Sequence, residues 1–279
     1  MMKFGSHVSI RNGYLSAAKH AFSMNASAFQ YFPKNPRSLS AKNFNKEDAA
    51  LCSEYCKVHS MTSVSHSPYP TSLTPQDSFK RNQVVKSLLN DLEISEACGS
   101  LGTVVHFGKL LDVHEPLASY QLMIDVLDEV LNEWTGSAKI LLENMAGKPG
   151  SIGTTLEELT QVRNLCGDSE KIGFCLDTCH AFASGLWNGG NWQELEKKGR
   201  ELGFWDNLGV IHLNNSNYDT GSGKDRHANI FGQGYIREEQ FSQFMRADIL
   251  KKVPFILETP KDVVSHEEEI LALYKKWGD

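Results

Sequence analysis

Short apolar, β-rich runs recur along the chain at Lys3–Ser9, Ala28–Phe32, Ser63–His66, Thr103–His106, Lys139–Asn144, Ile172–Asp177, Leu208–Leu213 and Val253–Glu258. Between them lie stretches whose apolar residues return every three or four positions, the period of a helix with one buried face. Examples are Ser87–Cys98, Pro116–Trp134, Leu156–Cys166 and Glu267–Trp277. Thr155, followed three residues later by Glu158, forms a capping-box signature at the start of one of them. Strands apolar on both faces and separated by amphipathic helices pack as a parallel sheet. Eight such units predict a closed (β/α)₈ barrel occupying residues 1–279 as one domain, since barrels of about 250 residues are ordinary. The alternative is an open, doubly wound sheet. That fold favours a glycine-rich phosphate turn after its first strand, whereas here the first strand runs into GSHVSIRNGY.

Polar residues are placed unusually on these strands. The third run ends in His66, the fourth in His106 and the fifth reaches Glu143. The sixth carries Asp177 with His180 three residues on, and the seventh carries His212, followed by Asp225 and His227. The eighth ends in Glu258. Any one of these reads more simply as a satisfied polar residue or a helix cap. Six successive strands ending this way place five histidines and four carboxylates at one mouth of a parallel barrel, where barrel active sites lie. Four carboxylates converging there repel one another unless cations neutralise them. Imidazole and carboxylate together suit Zn²⁺, with Mn²⁺ or Fe²⁺ as substitutes, and nine donors suit two or three ions with a shared carboxylate. In DRH, Asp225 and His227 point the same way if extended. Cys175 and Cys179, which flank Asp177, read as barrel packing rather than as ligands.

The bulk properties are compatible with this. The net charge of −6 disfavours a nucleic-acid partner at first sight, but three divalent ions would cancel it. Basic loop residues Lys34, Arg37, Lys224 and Arg226 are then available to face phosphates, with binding that weakens as salt rises. No apolar run reaches membrane-spanning length and the first residues lack a secretory pattern. The six cysteines (Cys52, Cys56, Cys98, Cys166, Cys175, Cys179) form no zinc-ribbon or disulfide pattern, so the expectation is a cytoplasmic protein with reduced thiols. Nothing in the chain reads as an interface, and the default is a monomer.

GSHVS at Gly5–Ser9, KNPR at Lys34–Arg37, HSPY at His66–Tyr69 and LLEN at Leu141–Asn144 now carry a resemblance, together with CLDTCHAFASG at Cys175–Gly185, HLN at His212, GSGKDRH ending at His227 and LETP at Leu257–Pro260. Over nearly its whole length the chain resembles the endonuclease IV family of apurinic/apyrimidinic endonucleases. All nine residues above fall on that family's ligand positions. The resemblance implies one zinc on His66 and His106, a second on Asp177, His212 and Glu258 with Glu143 bridging the two, and a third on His180, Asp225 and His227. It implies hydrolysis of the phosphodiester 5′ to an abasic site in double-stranded DNA, leaving a 3′-hydroxyl and a 5′-deoxyribose phosphate, with trimming of blocked 3′ ends. Such a site suits this chemistry, because a hydroxide held between two cations is available near neutral pH. Glu143 and Glu258 are the catalytic candidates, Glu258 by orienting the attacking water. By resemblance Arg37 and Tyr69 probe the base stack, and Arg226 is a DNA contact. Read alone, Arg37 is a surface charge and Tyr69 a capping aromatic.

The chain departs from the family at Pro70, where a Leu is usual, and at Phe107, where many relatives carry Pro. It departs again in NIFGQG at Asn229–Gly234, which has one residue more than NIGEG. Trp187 and Trp192 sit in a Gly-rich loop and read as loop–barrel packing. The rival reading is a metal-dependent sugar isomerase or epimerase on the same barrel type, which has little use for the third cluster.

Overall fold

The computed structural model describes residues 2–147 and 151–278. In chain order the strands are β1 (Lys3–His7), β2 (Ala28–Tyr31), β3 (Thr62–His66), β4 (Gly102–His106), β5 (Lys139–Glu143), β6 (Ile172–Asp177), β7 (Leu208–His212), β8 (Asn215–Ser216), β9 (His227–Ala228) and β10 (Pro254–Leu257). The helices are α1 (Tyr14–Ser23), α2 (Lys46–Val58), α3 (Ser78–Ala97), α4 (Pro116–Glu133), α5 (Leu156–Leu165), α6 (Thr178–Ser184), α7 (Trp192–Glu201), α8 (Glu238–Met245) and α9 (His266–Trp277). Eight parallel strands close into a barrel in the order β1-β10-β7-β6-β5-β4-β3-β2, and β8 and β9 form a separate antiparallel pair. The chain is therefore a TIM barrel and not an open sheet.

Local sequence accounts for most element boundaries. α3 begins nine residues earlier than its apolar period suggests, because the Asp77 side chain accepts from the Lys80 amide and caps its first turn. The Thr155–Glu158 capping box opens α5, and a second box, Ser265–Glu268, opens α9. β1 and β2 approach so closely that a Cβ on Gly5 would lie 1.6 Å from the Ala28 carbonyl oxygen, so only glycine fits there.

Two hydrophobic compartments result. The larger lies between barrel and helices. The smaller fills the lumen with Ala28, Val64, Val104, Leu141, Cys175, Val210 and Ile256, one residue from each of seven strands. Side chains on a strand alternate faces, so the residue two positions further along each strand also points to the axis, one layer higher. Those residues are Gln30, His66, His106, Glu143, Asp177, His212 and Glu258. The apolar lumen layer is the floor on which the polar layer stands. Trp187 and Trp192 are buried and pack against Phe244 at 5.6 and 4.8 Å between ring centroids, as loop–barrel packing requires.

Candidate metal centre

The nine expected residues converge at the C-terminal mouth of the barrel: seven line one cavity of about 350 Å³, with Phe32, Tyr69, Lys261 and His266, while Asp177 and His212 are fully buried beside them. Glu143 is its centre and is buried. Its Oε2 lies 3.4 Å from His66 Nε2 and 3.3 Å from His106 Nε2. Its Oε1 lies 2.9 Å from His212 Nδ1 and 3.4 Å from His180 Nδ1. His212 Nδ1 in turn stands 3.3 Å from Glu258 Oε2 and 3.8 Å from Asp177 Oδ2. On the far side, His180 Nε2 and His227 Nε2 each lie 3.3 Å from one oxygen of Asp225.

Local structure sets several of these positions. Asp177 is both the last residue of β6 and the N-cap of α6, where Oδ1 accepts from the His180 amide at 2.8 Å. The cap and inward-pointing readings of Asp177 are thus both true, because a carboxylate has a second oxygen, and Oδ2 faces the cavity side. His180 lies in the first turn of α6 rather than in a loop. His227 is carried on the β8–β9 pair, two residues from Asp225, which brings both side chains to one group.

Four histidines have one ring nitrogen against a backbone or amide oxygen rather than a ligand carboxylate. These contacts are His66 Nδ1 to Ser67 O at 2.8 Å, His180 Nδ1 to Asn144 O at 2.9 Å, His212 Nε2 to Gln30 Oε1 at 2.7 Å and His227 Nδ1 to Glu258 O at 3.3 Å. Each such bond leaves the other nitrogen toward the carboxylates as the one that would exchange its proton for a cation, the arrangement that metal-binding imidazoles use. Glu143 Oε2 and His227 Nε2 are buried and have no hydrogen-bond partner among the described residues. Two orphaned polar atoms facing a crowd of donors fit divalent cations bound among them.

Three-residue groups whose donor atoms lie within 4.8 Å of one another include His66–His106–Glu143 and His180–Asp225–His227. Thiol-containing groups also meet that distance, Glu143–Cys175–His212 and Asp177–Cys179–His227. Both cysteines are buried, and burial pushes the Cys175 thiol up to about 12. Cys175 belongs to the lumen floor, so it stays a packed thiol. All six cysteines are unpaired and buried. Burial works against ionisation of Glu143, but His212, His106 and His66 outweigh it and hold the carboxyl well below the usual range. Burial likewise opposes ionisation of Glu258, whose neighbouring histidines, His212 foremost, hold it at about 2.

The strand-end pattern left out several residues. Gln30 and His7 stand on β2 and β1 in the same inward phase as the ligands. The readable signal for Gln30 was a lone amide inside the apolar run AFQYF. Asn144 pairs with the Asp177 backbone in both directions, at 2.7 and 3.1 Å. Asn214 donates to Asp177 Oδ2 at 2.7 Å and accepts from the Glu258 amide at 2.9 Å. These two side-chain amides, with the Asn144 carbonyl on His180, tie the positions of Asp177, His180 and Glu258 to one another.

The expected DNA contacts fare unevenly. Arg37, Arg226 and Lys224 are exposed, and Tyr69 is 65% exposed at the cavity rim. The Tyr69 amide donates to Pro36 O at 2.9 Å, so the loops after β2 and β3 hold Arg37 and Tyr69 as neighbours, and exposed Pro70 shares a groove with Arg37. Phe231 is stacked on Trp277 at 5.5 Å between ring centroids. Lys34 corrects the expectation: it is buried, 3.0 Å from Asp91, and donates to Ser87 O at 2.7 Å. It holds α3 to the loop after β2 and faces no phosphate.

Burial raises the Asp91 carboxyl to about 7 and lowers the Lys34 ammonium. Lys34→Met will therefore destabilise the protein by about 3–5 kcal/mol at pH 8, because it strands a buried carboxylate. A carboxyl raised in the folded state favours folding at low pH and loses that contribution as pH rises through its folded value. The loss should thus be smaller at pH 5.5, where Asp91 takes up a proton. Denaturant unfolding at the two pH values measures it, and a pH-independent loss counts against the assignment.

No helix among the described residues is long and apolar enough to cross a membrane. A profile of the xylose isomerase-like TIM barrel family matches residues 18–276. A protein of Symbiobacterium thermophilum named probable endonuclease 4 is 39% identical over 270 residues, covering 96% of this chain and 97% of its own length. The apurinic-apyrimidinic endonuclease 1 of Plasmodium falciparum is 32% identical over 97% of this chain and 46% of its own length. The crystal structure of endonuclease IV from Thermus thermophilus superposes with a TM-score of 0.85 at 26% identity, covering 99% of this chain and 98% of that one. A D-tagatose 3-epimerase-like protein, at a TM-score of 0.69 and 22% identity, shares the fold alone. With family profile, full-length relatives and superposed barrel in agreement, the chain belongs to the endonuclease IV family of xylose isomerase-like TIM barrels.

Proposed function

We propose that this protein hydrolyses the phosphodiester on the 5′ side of an abasic nucleotide in duplex DNA, leaving a 3′-hydroxyl and a 5′-deoxyribose phosphate, and that the same site trims blocked 3′ ends. We further propose that it works with three Zn²⁺ ions, on His66 and His106, on Asp177, His212 and Glu258, and on His180, Asp225 and His227, with Glu143 bridging the first two. The observation that carries this reading is that the groups His66–His106–Glu143 and His180–Asp225–His227 each bring their donor atoms within 4.8 Å of one another at one cavity, with His212 Nδ1 between Glu143 and Glu258. An isomerase acting through one or two ions has little use for the group around Asp225. The relatives' names support endonuclease chemistry, and the Plasmodium protein's name supports the abasic substrate.

Bound cations supply water of lowered pKa and neutralise the phosphate in the transition state. The chain's own residues do the rest. Glu143 and Glu258 line the cavity, and in this reading Glu258, held by the Gln30 amide at 2.7 Å, orients the attacking water. An abasic nucleotide leaves the stack at lower cost than an intact one, so its sugar-phosphate reaches the cavity more readily. Tyr69, packed on Phe32 at 5.1 Å between ring centroids, offers an aromatic face at the rim, and Arg37 and Arg226 offer charge to the backbone.

A duplex carrying one abasic-site analogue tests the reading. Fully metallated protein should cut it 5′ to the analogue, and the affinity should fall as salt rises. An uncut duplex overturns the reading. One ion per chain by metal analysis favours the sugar-isomerase alternative. An affinity indifferent to salt removes Arg37 and Arg226 as phosphate contacts.

A further inference from the structure

Gln30 is fully buried and its carboxamide is completely engaged. Its Oε1 lies 2.7 Å from His212 Nε2, and its Nε2 lies 2.7 Å from Glu258 Oε1 and 3.1 Å from His7 Nδ1. The chemistry of these partners permits one orientation. An ionised carboxylate only accepts, so the group facing Glu258 is the NH₂ and the oxygen faces His212. His212 must then donate from Nε2. That leaves Nδ1 facing Glu143, Glu258 and Asp177 at 2.9, 3.3 and 3.8 Å, and its proton, donated to Glu143, is the one a cation would displace. The second amide hydrogen points to His7 Nδ1, so His7 accepts there and carries its proton on Nε2.

We infer that Gln30 is a positioning residue that selects the His212 tautomer able to ligate through Nδ1 and, with its other end, holds Glu258 in place. The inference rests on reading the cluster as a metal site. His212 is unusual among the four histidines tied to a backbone or amide oxygen. The other three use Nδ1 for that bond and turn Nε2 inward, whereas His212 turns Nδ1 inward. A neutral imidazole in water exchanges freely between its two tautomers; here, once a cation takes the place of the Nδ1 proton, the remaining proton sits buried on Nε2 and needs an acceptor. Gln30 is that acceptor. Because one planar amide contacts a ligand and a candidate catalytic carboxylate, it also sets their relative orientation. A purely structural amide would satisfy buried groups without affecting metal affinity.

The experiment compares wild-type protein with Gln30→Met, which keeps a similar volume and removes every hydrogen bond. Both are titrated with Zn²⁺ and with Co²⁺ against a competing chelator, and the unfolding midpoints of the stripped proteins are recorded. Gln30→Met should bind one of its ions about 10–100-fold more weakly, with an altered Co²⁺ absorption band, in addition to the lowered midpoint that the unpaired buried groups cause in the stripped protein. Equal affinities with a lowered midpoint overturn the inference and leave a structural role. A second measurement needs no variant. In zinc-loaded wild-type protein with ¹⁵N-labelled histidine, His212 should show the metal on Nδ1 and the proton on Nε2. Metal on Nε2 overturns the inference even if Gln30→Met does not fold. Wild-type protein that binds no cation overturns the metal-site reading itself and the inference with it. Tightly bound ions that are indifferent to Gln30→Met overturn the inference alone.

Discussion

His180→Ala will slow incision of an abasic duplex by about 10²–10³-fold, the range seen when one charge-stabilising element is removed from an active site, while the fold persists. The imidazole is the link between Asp225, 3.3 Å from Nε2, and Glu143, 3.4 Å from Nδ1. Without it, His227 and Asp225 are left as two donors, too few to retain an ion tightly. Metal content should fall from three ions to two. Little else changes, because the helix cap depends on the backbone amide of residue 180, which alanine retains. The lost contact to Asn144 O costs about 1–3 kcal/mol. Asp225 is 56% exposed and returns to solvent cheaply. Single-turnover incision, metal analysis and a thermal scan check this together. A rate near that of the wild type would remove His180 from the mechanism.

Stripping the cations will abolish incision, and reloading will restore it with release of protons. Four carboxylates and five imidazoles share the cavity, and without cations several of the imidazoles hold protons against them. Burial disfavours the charged form of His227, but Asp225 and Asp177 outweigh it and raise the ring to about 9. Burial also opposes protonation of His180, yet Asp177, Asp225 and Glu143 hold it well above the ordinary histidine value. A metal ligand must be neutral imidazole, so at pH 7 an ion entering this group displaces protons. The sign follows: apparent zinc affinity falls as pH is lowered below about 9. A pH indicator in weakly buffered solution reads the release during zinc titration. Titration without proton release would mean that these histidines are not ligands.

The two readings that bracket this protein, abasic endonuclease and sugar isomerase, share a barrel and diverge at one group of side chains. Asp225 and His227 come from the segment after β7, and His180 from the turn after β6, outside the inward layer that the strands themselves supply. In a parallel barrel the strands furnish one ring of donors by geometry alone. A further group requires loops that fold back over the mouth. Here α6 and the β8–β9 pair do this, and Asn214 and Asn144 tie them to the ring.

Much of the site was legible in the sequence because strand alternation is a local property. An apolar residue in the lumen, followed two positions later by His, Asp or Glu, appears in the chain as VSH, VVH, LLE, CLD, VIH and ILE. Read by itself each is ambiguous, but repeated on successive strands it places the residues on one axis. The same phase runs through AFQ, ending in Gln30, whose lone amide carries no charge and so does not read as a ligand. Lys34 misled for the converse reason. A lysine in a loop beside Arg37 reads as exposed, and its burial depends on Asp91, distant in sequence on α3.

The eight strand–helix units, the closed barrel and the nine donors at its mouth follow from the amino-acid order, because the periods of two and of three to four are written residue by residue. Three further outcomes required the folded molecule: which nitrogen of each histidine faces the cavity, the sealing of Lys34 against Asp91, and the Gln30 bridge between His212 and Glu258. Gln30 reaches His212 across 182 positions of chain. Barrel closure alone brings such partners within about 3 Å, the ordinary hydrogen-bond separation. Burial then makes each unshared lone pair or proton costly enough to demand a partner.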